Sequence, residues 1–397
     1  MGSGRYRWLV LAVGVVAQAA LSAFHQGLPA IGPELQRHFH VGLVQTGALL
    51  SAVAAGITLT LALWGSLADR FGERTVLAVG LSGAAVFLAA AGLAGSYPLM
   101  FACLVAAGML GSCANAASGR AVMAWFEARE RGMALGIRQM ATPLGGAAAA
   151  ATLPLLALRF GLAGAFLGLA LACLAAALAC GLALRRRGAV RRGGGASRSP
   201  LRDRRIWRLA TGGALIVAGQ LSLITYLVLF LNQHRGLGLA AAALELTVCQ
   251  LAGAGARVLA GIGSDRLRAR IGPMRGLAAL GGGLLAATAL LVEAPLGVLV
   301  PLLVVTTVVC MSTNGLAFTA TGELAGAERA GVAMGFQNTW LFISGALGPI
   351  AFGAVVAAVN WSAGFPLVAA LAIGGWLLLA PLARQEQAGW AAPAQRV

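Results

Sequence analysis

The chain has 397 residues, of which 59% are hydrophobic and only 10% charged, with a mean hydropathy of +0.85; a water-soluble domain carries about 25% charged residues. That balance excludes a soluble globular fold. The formal charge of +17 comes from 29 arginines and no lysine, but these cluster between apolar stretches and do not alternate with exposed aromatics, so no nucleic-acid partner is expected.

Apolar stretches of about 20 residues, enough to cross about 30 Å of hydrocarbon, recur along the whole chain. They predict spans at 7–30, 42–67, 75–95, 98–123, 131–157 and 161–184, then at 207–231, 239–264, 274–292, 296–321, 331–358 and 362–382. The expected fold is therefore all-α and integral to the membrane, with twelve transmembrane helices in two six-helix bundles. The first stretch is longer than a signal-peptide core and is followed by further spans, so it is expected to stay uncleaved. Residues 1–184 form the first bundle in this reading and 207–397 the second, with a short tail. Between them, 185–206 is rich in Gly, Ser and Arg and reads as a flexible linker.

Alternating the spans from an inside N-terminus leaves only Arg37, Arg159 and Arg235 outside, with Arg138 and Arg257 within spans. The positive-inside rule then places both termini and the linker in the cytoplasm, and the chain in a bacterial inner membrane. Surrounding lipid is the expected environment and a monomer the expected state. The six cysteines fall inside spans without metal-ligand spacing, so no metal site and no cofactor are expected.

The two halves repeat each other. Gly65-x-x-x-Asp69-Arg70 returns as Gly261-x-x-x-Asp265-Arg266, and Glu130-Arg131 returns as Glu328-Arg329, at nearly the same offset. The stretch G-S-L-A-D-R-F-G-E-R from Gly65 to Arg74 resembles the cytoplasmic signature of the major facilitator superfamily, G-x-L-a-D-r-x-G-r-k. The resemblance implies two pseudo-symmetric bundles that rock around a central site. It also implies a conformational latch at Asp69, Arg70 and Arg74 and at the second copy, Asp265 and Arg266. It does not name the substrate, which has to be read from ionisable and polar groups inside the spans.

Arg138 lies seven residues inside the fifth span and Arg257 eight residues before Asp265, depths of about 10 and 12 Å. Neither has a carboxylate three or four residues away. Each therefore needs a ligand, a water-filled cavity, helix-end carbonyls or a carboxylate from another helix. In the superfamily the fifth and eighth helices face each other, so the two guanidinium groups are expected to clamp one small organic anion, a mono- or dicarboxylate. The run R-V-L-A-G-I-G-S-D-R from Arg257 also resembles monocarboxylate, oxalate and nitrate carriers, where an eighth-helix arginine binds the anion. Gly253 stands where monocarboxylate carriers hold a coupling Asp, and Leu61 where nitrate carriers hold an Arg.

Gln18, Gln220, Asn115, Gln139, Asn314 and Asn338 are the polar residues expected either to line the cavity or to bind helix to helix. Glu245 and His25 are candidates for coupling transport to a proton; a counter-anion is the other candidate coupling partner. Glu245 reads otherwise as a solvated helix start. No nucleophile and base cluster near a boundary, so the chain does not read as an enzyme. The rival reading is a drug or metabolite exporter, a proton antiporter of the same superfamily. Only Pro143-x-Gly145-Gly146 remains of that branch's G-P-x-x-G-G element.

Overall fold

The computed structural model describes residues 3–126, 130–185, 200–326 and 329–388. Among them every regular element is helical. Hydrocarbon offers backbone groups no hydrogen-bond partner, and a helix satisfies all of them within itself. The first pass is Ser3–Gln26, the second and third share Leu43–Gly92, the fourth is Tyr97–Gly111 continued by Cys113–Trp125, and the fifth and sixth share Arg131–Ala183. The seventh is Arg204–Leu229, the eighth Leu239–Leu267, the ninth Ile271–Leu290, the tenth Leu296–Met311 continued by Thr313–Ala325, the eleventh Ala330–Ala358 and the twelfth Trp361–Leu378.

Ten stretches among the described residues are long and apolar enough to cross a membrane. One of them, Gly136–Ala183, supplies two passes because the chain reverses at Gly161, whose φ of 68° is open to glycine at little cost. The ninth pass, 20 residues packed against the tenth and twelfth, completes the set of twelve. Gly72, with φ 77°, makes the corresponding reversal between the second and third passes. Leucines such as Leu158, Leu182 and Leu290 stay more than four-fifths exposed on the outer surface, an apolar face that only lipid can cover.

Three features depart from the spans expected above. Leu28–Ile31 and a short helix, Gly32–Phe39, follow the first pass. The fourth and tenth passes each break at a serine, Ser112 and Ser312, which are repeat mates. Their hydroxyls donate back to Met109 O at 3.0 Å and Val308 O at 2.8 Å, a bond that competes with the helical ladder and bends it. A wider helical turn, Phe230–His234, ends the seventh pass. Of the expected linker, 186–199 lies outside the described residues and helix resumes at Arg204. Asp203 caps that helix by accepting from Arg205 N at 2.9 Å. Burial pushes its carboxyl up, but hydrogen bonds from the Arg205 side chain and backbone outweigh this and hold it below its usual value.

Twelve passes place the linker and both ends of the chain at one end of the bundle, here the linker end; the other is the distal end. The two halves meet at the distal end. Tyr226 of the seventh pass fits between Gly47 and Gly353, where any Cβ would overlap its hydroxyl, and donates to Leu43 O at 3.0 Å. Gly345 of the eleventh pass lies against Ala54, and Gly146 of the fifth lies against Gln250 of the eighth. At the linker end, among the described residues, Arg7 pairs with Glu130 at 2.6 Å, and Arg270 with Asp265 at 2.5 Å and with Glu323 at 3.1 Å, each pair within one half. A Cβ on Gly136, Gly261 or Gly335 there would meet nothing within 4 Å. The halves are thus sealed together distally.

Candidate functional site

Between the halves lies a cavity of about 50 Å³, room for roughly three to five waters at about 10–15 Å³ each. Its wall comes from the first, fourth and fifth passes on one side and from the seventh, eighth, tenth and eleventh on the other. Eight of the candidate residues line it: Gln18, His25, Asn115, Gln139, Gln220, Arg257, Asn314 and Asn338. Arg138 and Glu245 do not belong to the wall.

Arg138 is 6% exposed, and its guanidinium is fully engaged by protein. Nε donates to Ser118 Oγ at 2.8 Å and Nη1 to Gln139 Oε1 at 3.1 Å. Nη2 donates to Gln18 Oε1 at 2.8 Å, Asn115 O at 3.2 Å and Ala114 O at 3.4 Å. The charge sits among neutral acceptors, two of them side chains that form the cavity wall. The break at Ser112 lies one turn before these carbonyls and restarts the helix at Cys113. This geometry differs from the symmetric clamp expected from depth alone, because Arg138 turns toward the first and fourth passes and away from the cavity.

Arg257 is placed differently. Its Nε donates to Met311 O at 3.1 Å, the last residue before the break in the tenth pass, while its buried Nη2 has no hydrogen-bond partner among the described residues. No described carboxylate pairs with it. A guanidinium offers a planar fork of donors whose geometry matches carboxylate oxygens.

Other wall groups are also left incomplete. Asn314 Nδ2 donates to Gln220 Oε1 at 3.0 Å, yet Gln220 Nε2, Asn314 Oδ1, Asn115 Nδ2 and Gln26 Oε1 have no partner among the described residues. His25 faces Phe342 across the halves, ring centroids 5.5 Å apart. Glu245, expected at a solvated helix start, is instead 8% exposed, six residues into the eighth pass, with Oε1 unpartnered. It lies nearly two turns into Leu239–Leu267, on the face of buried Ala242, Leu246 and Cys249, which packs it inward. Asp265 pairs locally with Arg270, Arg266 is exposed, Arg74 is half-buried and Arg70 lies 5.2 Å from the Phe71 ring. The side chain of Asp69 lies outside the described residues.

Sequence reasoning passed over Ser22, Gln26, Ser118, Thr142 and Phe318. For Ser22 and Gln26 a signal existed: with Gln18 they stand four residues apart on one face of the first pass. Ser118 carried no comparable signal, since a serine in a helix of small residues reads as packing.

Twelve helical passes in two bundles around a central polar cavity define a multi-pass membrane transporter. The chain belongs to the Major Facilitator Superfamily, which matches residues 10–349. It is 33% identical over 353 residues to an uncharacterized MFS-type transporter of Mycobacterium tuberculosis (strain ATCC 25618 / H37Rv), covering 88% of this chain and 79% of that one. It is 30% identical over 129 residues to the tetracenomycin C resistance and export protein of Streptomyces glaucescens, 32% of this chain and 23% of that one. Among solved structures it resembles a bacterial homolog of the human lysosomal transporter Spinster. In the inward-facing, unoccupied conformation the TM-score is 0.75 at 15% identity, with 96% of each chain covered. In the occupied conformation the TM-score is 0.76 at 16% identity, again with 96% of each covered.

Proposed function

We propose that this transporter moves a small organic anion by alternating access, with Arg257 holding the negative group. One observation carries the reading: a buried guanidinium nitrogen in the cavity wall with no partner among the described residues. A buried charge left unpaired is costly, and a carboxylate oxygen would complete it. Arg138 contributes in this reading by fixing Gln18 and Gln139 in the wall and by adding positive potential. Asn115, Gln220, Asn314 and Asn338 complete the binding surface. Glu245 and His25 are the proposed coupling groups, and Asp69, Arg70, Arg74, Asp265 and Arg266 the proposed latch. The arginine asymmetry supports a bacterial inner-membrane setting with linker and termini in the cytoplasm.

A second reading, drug or metabolite export by proton antiport, is favoured by the relative named for tetracenomycin C resistance and export. The small cavity and the unpartnered arginine favour the first. Purified protein in liposomes separates them. Uptake of radiolabelled small carboxylates that is lost in Arg257→Gln supports the anion reading, whereas efflux of cationic dyes with no carboxylate flux replaces it with the second.

A further inference from the structure

The seventh and tenth passes bring Gln220 and Asn314 together in the cavity wall, and this pair leaves a defined remainder. Gln220 is wholly buried and Asn314 is 9% exposed. One hydrogen bond joins them, and Gln220 Nε2 and Asn314 Oδ1 remain without partners. The orientation of a side-chain amide is an assignment, but the result does not depend on it. Reversing both amides keeps the bond between them and again leaves one N–H donor and one carbonyl acceptor. Reversing one alone sets like against like. In either orientation the pair therefore leaves one amide NH2 group and one carbonyl wholly unbonded among the described residues.

The anion anchor stands beside this pair. Arg257 Nε is bonded to Met311 O, and Met311 precedes Asn314 by three residues across the break at Ser312. Arg257 is the one cation in the cavity wall among the described residues, and Leu21, Val217 and Leu221 form an apolar side.

We infer that the substrate is a short monoanion bearing, close to its charged group, a polar group that both donates and accepts a hydrogen bond: a hydroxyl or a secondary amide. This rests on the anion reading and narrows it. A plain alkanoate fills the guanidinium fork but leaves both amides unmade, and a site built to bond such a group rejects the analogue lacking it. A dicarboxylate brings a second negative charge with no second cation in the wall to meet it.

Isothermal titration of the purified full-length protein with two matched pairs tests this. The pairs are 2-hydroxypropanoate against propanoate, and N-acetylglycinate against 4-oxopentanoate, which exchanges the amide N–H for a methylene. The first member of each pair should bind at least about tenfold more tightly. In Asn314→Leu and Gln220→Leu that ratio should fall to about one. A ratio near one in the native chain, a ratio that survives both leucine variants, or no binding of any of the four probes overturns the inference. The native ratio needs no variant to fold. Equal affinity of Arg257→Gln and the native chain for both members of a pair overturns the anion reading instead, so the two failures are distinct.

Discussion

The two arginines within the spans occupy opposite halves of one pseudo-symmetric molecule, yet their surroundings differ in kind. Arg138 has acceptors at every nitrogen of its fork, and all of them are neutral. Arg257, half-buried, has one carbonyl, and its Nη2 has no partner among the described residues. The repeat explains the scaffold and not this difference: the mate of Arg138 is Gln337, which accepts from Thr321 at 3.4 Å, and Leu61 is the mate of Arg257. The two frames are similar, but the first carries its arginine at 138, bonded at every fork nitrogen, and the second carries its arginine at 257, with Nη2 unpartnered among the described residues.

The largest effect that tests this contrast is on folding. Arg138→Met removes the donor to Ser118, Gln18 and two helix carbonyls at once. Each buried acceptor left unmade costs about 1–3 kcal/mol, and some can reorient, so the net loss is expected at about 3 kcal/mol. Thermal unfolding without ligand reads it. Arg257→Met in the same assay should lose nothing and gain up to about 1 kcal/mol, because replacing an uncompensated buried charge by an apolar side chain is neutral or stabilising. If both variants destabilise equally, the two arginines are alike and the contrast is wrong.

Binding inverts the order. Arg257→Gln should weaken carboxylate binding by about 1.5–3 kcal/mol, the scale of a hydrogen bond to a charged group and roughly ten- to hundredfold in affinity. Titration with whichever carboxylate binds the native chain measures it, with unliganded stability as the control. Unaltered affinity in a folded variant would make Arg257 structural as well.

Much of this architecture was legible in the sequence, and the illegible part has a common cause. Span length and arginine asymmetry depend on the bilayer, so all twelve passes lie within a few residues of their expected positions and the reversals fall at Gly72 and Gly161. Position along each helix was legible too, since rise per residue is fixed. Direction was not. Apolar residues surround these helices on every side, so little periodicity tells which face meets the other half, and the turn of Arg138 toward Ser118 and Gln18 follows from packing. The burial of Glu245 and the slot that Gly47 and Gly353 form for Tyr226 are tertiary in the same sense.

The finest test exchanges charge without geometry. At Arg138 five acceptors are met by three nitrogens spread in a plane, and an ammonium on a flexible stem reaches only some of them. Arg138→Lys should therefore stay nearly as unstable as Arg138→Met. At Arg257 the acceptor is a ligand that can shift toward the charge, so Arg257→Lys should recover part of the affinity lost in Arg257→Gln. It should remain about 1 kcal/mol weaker than the native chain, because the second bond of the planar fork does not return. Melting curves and titrations of the four variants together decide the point. Full recovery of stability by lysine at 138, or no recovery of binding by lysine at 257, would show that charge and geometry act the other way round at these two sites.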